Sequence, residues 1–184
     1  MAAGVQQATF AAGCFWCLDA IFRKTIGVTN VQSGYSGGEH DSPTYDSIHT
    51  RNDGYAESVH IEFDPDQISY AVLLEIFWTS HNPTTPNQDG ANIGQEYRSI
   101  IFYHDDEQKQ QADISKHEVA PTLWDKPIVT EIVAFEKFYT AEDHHQNFFF
   151  EKPNNPYCMV VINPKLAKFK ERFAEYVREE PLGT

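Results

Sequence analysis

Residues 7–27, QATFAAGCFWCLDAIFRKTIG, carry the change of period that decides the fold. Gln7 to Ala12 is a short run of small and apolar residues that reads as a strand and stops at Gly13. From Phe15 onward Phe15, Trp16, Leu18, Ile21, Phe22 and Ile26 recur at helical spacing, and Gly27 stands where helices commonly end. A strand therefore feeds a helix through a single glycine, and Cys14 falls at the helix N-terminus.

The same alternation continues outward. Val28 to Ser33 reads as a second strand, running into a long turn-rich loop from Gly34 to Gly54. Ser58 to Phe63 alternates with a period of two and stops at Asp64-Pro65, which makes it a half-buried strand with Glu57 just before it. Ser69 caps a helix through Val72, Leu73, Ile76, Phe77 and Trp78, and Thr84 to Gly94 is a second polar loop. Tyr97 to Tyr103 and Ile128 to Phe135 are strand-like on either side of a polar helix from Asp105 to Glu118, anchored inward by Ala112 and Ile114. Pro153-Asn154-Asn155-Pro156 breaks the chain before Cys158, and Pro164 starts a last amphipathic helix through Leu166, Phe169, Phe173 and Val177. Strands alternating with helices imply an α+β fold, a two-layer α/β sandwich on a mixed sheet with long functional loops. One domain is expected over 1–184, with a core over 7–150 and a C-terminal segment over 151–184 that carries Cys158 and the terminal helix.

Composition bounds the partners. The chain has 184 residues, 41% hydrophobic and 22% charged, with 14 basic against 27 acidic side chains, so 14 − 27 gives a net charge of −13. That balance argues against a nucleic-acid partner, and the absence of a Lys/Arg cluster argues against an anionic membrane surface. No run approaches the roughly 18 to 20 apolar residues of a membrane span. Met1 to Gln7 has neither a basic residue nor an apolar stretch, so no secretory signal is read there and a cytoplasmic location is expected. Three cysteines, an odd number, suit reactive thiols better than a disulfide framework.

The chemistry centres on Gly13-Cys14-Phe15-Trp16-Cys17. Unsatisfied N–H groups at a helix start favour a thiolate, so Cys14 is the candidate nucleophile, with a pKa expected below its free value of about 8.5. Phe15 and Trp16 lie about 100° apart around a helix and cannot both face the core, so one ring lines a pocket. Three other readings fit parts of this segment. Cys14-x-x-Cys17 is half of a zinc site that Cys158 with His144 or His145 would complete, or the dithiol of a thioredoxin-like oxidoreductase, or the edge of a plain aromatic binding pocket. Stoichiometric zinc would favour the first, and insulin reduction the second.

This motif resembles the active site of the A-type peptide methionine sulfoxide reductases, enzymes that reverse methionine oxidation one sulfoxide epimer at a time. The similarity extends through Gly34-Tyr35-Ser36-Gly37-Gly38, Pro43-Thr44-Tyr45, Gly54-Tyr55-Ala56-Glu57, Gln95-Glu96-Tyr97-Arg98-Ser99, Ala141-Glu142-Asp143-His144-His145-Gln146 and Tyr157-Cys158, in the family's order. It implies a ferredoxin-like core, Cys14 as nucleophile, Glu57 as proton donor, Tyr45 and Tyr97 as donors to the sulfoxide oxygen, and Phe15 with Trp16 as the methyl pocket. It also implies S-epimer substrates, free or in proteins, and repair of oxidised protein by a monomer without metal or cofactor, recycled by thioredoxin. Physically, a thiolate attacking sulfur needs an acid at the departing oxygen, and a carboxyl beside a thiolate should share one proton with it. The resulting sulfenic acid condenses with a second thiol. Cys158 matches the resolving cysteine of many relatives and sits in a segment expected to be mobile, whereas a helical turn constrains Cys17; Cys158 is favoured and Cys17 stays open. Where relatives usually carry aspartate this chain has Asn82 and Asn92, and at substrate-binding Asn92 a neutral acceptor should weaken substrate binding without abolishing it. Tyr55, Glu96 and His144 also depart from the family pattern.

Overall fold

The computed structural model of the chain describes residues 4–183; part of the Met1 to Gln7 reading therefore lies outside the described residues. The first six elements are β1 (Gln6–Ala11), α1 (Phe15–Arg23), β2 (Val28–Ser36), α2 (Tyr45–Thr50), β3 (Ala56–Phe63) and α3 (Tyr70–Ser80). A small hairpin of β4 (Gln88–Asp89) and β5 (Asn92–Ile93) precedes β6 (Ile100–Tyr103), α4 (Asp106–Ile114) and α5 (Ala120–Leu123). β7 (Glu131–Ala134), β8 (Phe138–Thr140), α6 (Phe148–Glu151) and α7 (Asn163–Arg172) follow.

The sheet order is β7-β6-β1-β3-β2-β8, with β6 and β7 parallel and the remaining pairs antiparallel. Its inner strands β6-β1-β3-β2, joined through α1 and α3, are a ferredoxin-like core, and the parallel edge makes the sheet mixed, as the sequence implies. Period-two alternation sends Ala8 and Phe10 of β1, Val59, Ile61 and Phe63 of β3 and Ile101 of β6 to the main core. Ala11, Ala56, Ile100 and Phe102 point to a smaller cluster on the opposite face. A register shift between Val28 and Asn30 inserts an extra residue in β2, so that Val28 and Val31, three apart, both reach the core.

Several boundaries differ from the sequence reading. The loop from Gly34 to Gly54 contains the end of β2 and all of α2, which Thr44 and Ser47 start through reciprocal capping bonds. The strand expected from Tyr97 begins at Ile100, because residues 95–97 form a 3₁₀ turn. Strand β8 was not anticipated; three residues carry too little periodicity. Ile114 is exposed, and Gln108 is buried in its place to donate to the Gln7 carbonyl at 2.7 Å. The last helical run begins at Pro156, ahead of a π-turn over Cys158–Ile162 that leads into α7.

Helix α1 is buried almost all round and holds an interior ion pair. Arg23 Nε lies 3.0 Å from Asp19 Oδ1, and the guanidinium also donates to the carbonyls of Val31 at 2.9 Å and Leu182 at 3.3 Å. Burial pushes the Asp19 carboxyl up to about 6 even with this partner beside it. An Arg23→Met exchange would leave that carboxylate uncompensated, at a cost of about 3–5 kcal/mol near neutral pH. Denaturant melts check this, and lowering the pH until Asp19 takes up a proton should recover part of the loss.

Candidate active site

Gly13 turns the chain between β1 and α1 at φ 74°, a left-handed value, and a Cβ there would come within 2.6 Å of Asp89. Cys14 is thereby placed at the N-cap with extended backbone, outside the helix proper, and retains 7% exposure. Its thiol is not acidic in the resting site, contrary to the expectation from the helix end. Burial pushes it well above its ordinary value, with Cys17 and the charge of Glu57 pushing the same way and only the Trp16 backbone N–H pulling it down. Desolvation outweighs the helix terminus here.

Glu57 shares the sheet face of Val59, Ile61 and Phe63 and is 1% exposed. Its Oε2 accepts the first free N–H of α1, that of Phe15, at 2.9 Å, which brings carboxyl and thiol to the same helix terminus. Burial raises its pKa, as expected for an acid that must carry a proton, while His49 and the Phe15 N–H pull it back. The other oxygen, Oε1, faces His49 Nε2 at 3.4 Å, and the same nitrogen lies 3.0 Å from Tyr97 Oη. Tyr45 opens α2, its backbone N–H donating to Glu142 Oε1 at 3.0 Å while Glu142 Oε2 accepts from Tyr35 Oη at 2.7 Å. Burial, then Glu57 and Cys14, raises the Tyr45 phenol to about 12; burial and Glu57 lead the causes that raise Tyr97. Both remain O–H donors through the neutral range.

Phe15 is buried and packs against Tyr35 and Tyr45, with ring centroids 5.9 and 6.5 Å apart. Trp16, half-buried, stacks on Phe148 at 3.7 Å and meets the edge of Tyr157 at 5.8 Å. His145 fills the gap between Phe15, Trp16 and Tyr45, and burial holds its pKa down to about 4, so it is a neutral ring. The result is an aromatic chamber beside Cys14.

Cys14 and Cys17 lie close enough for each to shift the other's pKa. Lys165, reaching from α7, bonds Asp89 Oδ2 at 2.6 Å and adds positive charge near the Cys17 sulfur. The neighbouring Cys14 and the Lys165 ammonium lower the Cys17 pKa, whereas burial and Glu57 raise that of Cys14. Cys17 Sγ also lies 4.0 Å from Tyr157 Oη, which accepts from Asn92 Nδ2 at 2.9 Å. Cys158 is fully buried in the π-turn, on helical backbone. Among the described residues no three His, Cys, Asp or Glu side chains converge to hold a metal ion. Nor, among them, is any helix long and apolar enough to cross a membrane.

A family model described as Peptide methionine sulfoxide reductase matches residues 6–177. The chain belongs to that family. Peptide methionine sulfoxide reductase MsrA of Sulfolobus acidocaldarius is 47% identical over 171 residues, 93% of this chain and 97% of the relative. Among solved structures, reduced Mxr1 from Saccharomyces cerevisiae superposes with a TM-score of 0.78 at 31% identity, covering 84% of this chain and 89% of the other. Mxr1 in complex with Trx2 gives 0.56 at 25% identity, covering 77% and 84%.

This reductase of methionine sulfoxide brings the sequence candidates Cys14, Glu57, Tyr45, Tyr97, Phe15, Trp16 and Cys17 to the start of α1. Asn92 reaches the same region only through Tyr157. His49 and Lys165 were missed, and His145 and Tyr157 were noted only as a zinc-ligand candidate and as motif residues. His49 had a usable signal, because it stands four residues after Tyr45 and so shares its face of α2; Lys165 had none, since its partner Asp89 lies 76 positions away.

Proposed function

We propose that the reductase removes oxygen from the S epimer of methionine sulfoxide, free or in polypeptides, with Cys14 as nucleophile and Glu57 as acid. The observation that carries this reading is the 2.9 Å bond from Phe15 N–H to Glu57, which puts thiol and carboxyl on one helix end. Burial makes a charge costly at both groups, so Cys14 and Glu57 share one proton, which passes from Cys14 through Glu57 to the oxygen as sulfur attacks. Tyr45 and Tyr97 donate where negative charge gathers. Phe15 and Trp16 take the methyl group. The thioether is released, and Cys14 is left as the sulfenic acid.

Cys17 then attacks Cys14, the S–S bond forms, and hydroxide departs to become water. Two observations favour Cys17 over Cys158: its pKa, lowered by the neighbouring Cys14 thiol, and the extended backbone of Cys14, which frees this pair from the constraint of a full helical turn. A thioredoxin reduces the disulfide in this reading, supported by the yeast relative's complex with Trx2. Three free thiols fit a monomer in the reducing cytoplasm that repairs oxidised protein.

Incubation with separated epimers of dabsylated methionine sulfoxide tests the assignment. Consumption of the S form alone supports it, and equal consumption of both forms overturns it. For the second thiol, Cys17→Ser should still release one equivalent of methionine per enzyme, yet thioredoxin-driven turnover should fall to about a few per cent. Cys158→Ser should recycle normally; the opposite pattern would assign the role to Cys158.

A further inference from the structure

His49 has no task in the chemistry proposed above, yet its position gives it one. Its Nδ1 lies 2.6 Å from the Tyr45 carbonyl oxygen, which can only accept, so Nδ1 carries a hydrogen and Nε2 is the position that varies. Neutral, Nε2 accepts from Tyr97 O–H at 3.0 Å; protonated, it donates toward Glu57 Oε1 at 3.4 Å. Glu57 Oε2 is held by Phe15 N–H, so Oε1 is the oxygen left for proton exchange. The carboxyl is 1% exposed and the imidazole 21%, which makes His49 the step between the buried acid and water.

We infer that His49 reloads Glu57 with a proton between sulfoxide reduction and disulfide formation. The inference rests on the reading of Glu57 as the acid and Cys17 as the second thiol. In the first half-reaction methionine sulfur is reduced, Cys14 sulfur is oxidised, and the proton that Cys14 held ends on the sulfenic acid oxygen. Glu57 is then a carboxylate. In the second half-reaction the Cys17 thiolate bonds to Cys14 sulfur, the S–O bond breaks, and the departing hydroxide requires another proton. Cys17 gives up its own proton in becoming the attacking thiolate, and in this route the proton for the hydroxide enters from solvent through His49 and Glu57.

The electrostatics agree. Glu57 is the largest cause of a raised His49 pKa, and Glu96 Oε1, 3.9 Å away, adds to it. The other titratable groups facing this pair are Tyr45, Tyr97, the neutral His145 and, across Glu57, Cys14. Two sites sharing a last proton hold it to a higher pH than either site alone. Removing one therefore moves the high-pH fall in rate to lower pH.

The test is rapid-quench kinetics on the full chain, following methionine release and, by thiol alkylation and mass spectrometry, disulfide formation. His49→Gln should slow disulfide formation by about 10-fold, more than it slows methionine release, and shift the high-pH limb of the second step downward. Added imidazole should restore the second step in His49→Ala. An unchanged disulfide rate and pH profile in His49→Gln overturns the inference, as does a slow His49→Ala that imidazole does not rescue. Glu57→Gln separates the two readings. If it leaves both steps unchanged, the acid assignment falls and the relay with it; if it slows them while His49→Gln behaves as wild type, only the relay falls.

Discussion

Cys14→Ser is expected to abolish reduction of methionine sulfoxide, because serine is a far weaker nucleophile and its oxygen cannot take up the substrate's oxygen in a product that a thiol then resolves. The exchange is nearly isosteric in a site with 7% exposure, so the fold should be preserved. Residual turnover above a few per cent, measured by loss of the S epimer, would remove Cys14 from the mechanism. Mass spectrometry adds a second check: sulfoxide treatment should oxidise wild-type thiols and leave those of the variant reduced.

The second large effect is expected at Glu57. Glutamine there retains an oxygen for the Phe15 N–H, so the start of α1 stays anchored, while the transferable proton is lost. Methionine release in a single turnover should fall by about 10²-fold or more, the usual worth of a positioned acid. The pH profile should change with it. A raised carboxyl pKa means the acid form is present at low pH and lost as pH rises through the folded value, so the wild-type rate falls on the alkaline side and the variant should lack that dependence. A Glu57→Gln enzyme with wild-type rate would assign the proton to another donor.

The ferredoxin-like core was legible because its strands are long enough to show their period. In β3 the alternation that marks Val59, Ile61 and Phe63 as inward also puts Glu57 on that face, so burial of the acid was readable before any contact was known. The strand-glycine-helix junction placed Cys14 in the same way. Helix α2 was hidden by its length: six residues give under two turns, and its one sequence sign, Thr44 followed three residues later by Ser47, uses a serine where glutamate or glutamine is the usual signal. The direction of the Cys14 pKa was misread, since a helix terminus is visible in sequence and desolvation is not. The choice between Cys17 and Cys158 turned on backbone geometry as well. A proline- and asparagine-rich stretch looks mobile on paper, yet Tyr157 is pinned by Asn92 and Trp16, and Cys158 is packed inside.

The chain end after α7 is stitched to the far end of α1. Tyr176 and Arg178 exchange main-chain bonds with Ile26 and Lys24, Leu182 N–H donates to the Arg23 carbonyl at 2.9 Å, and the Arg23 guanidinium takes the carbonyls of Leu182 and Gly183. Cutting the segment after α7 would thus strip an interior guanidinium of two of its acceptors and loosen the helix at whose opposite tip Cys14 stands. Such a cut would register as dulled Cys14 reactivity two and a half helical turns away, so residues 176–183 act as a brace for the far side of the site.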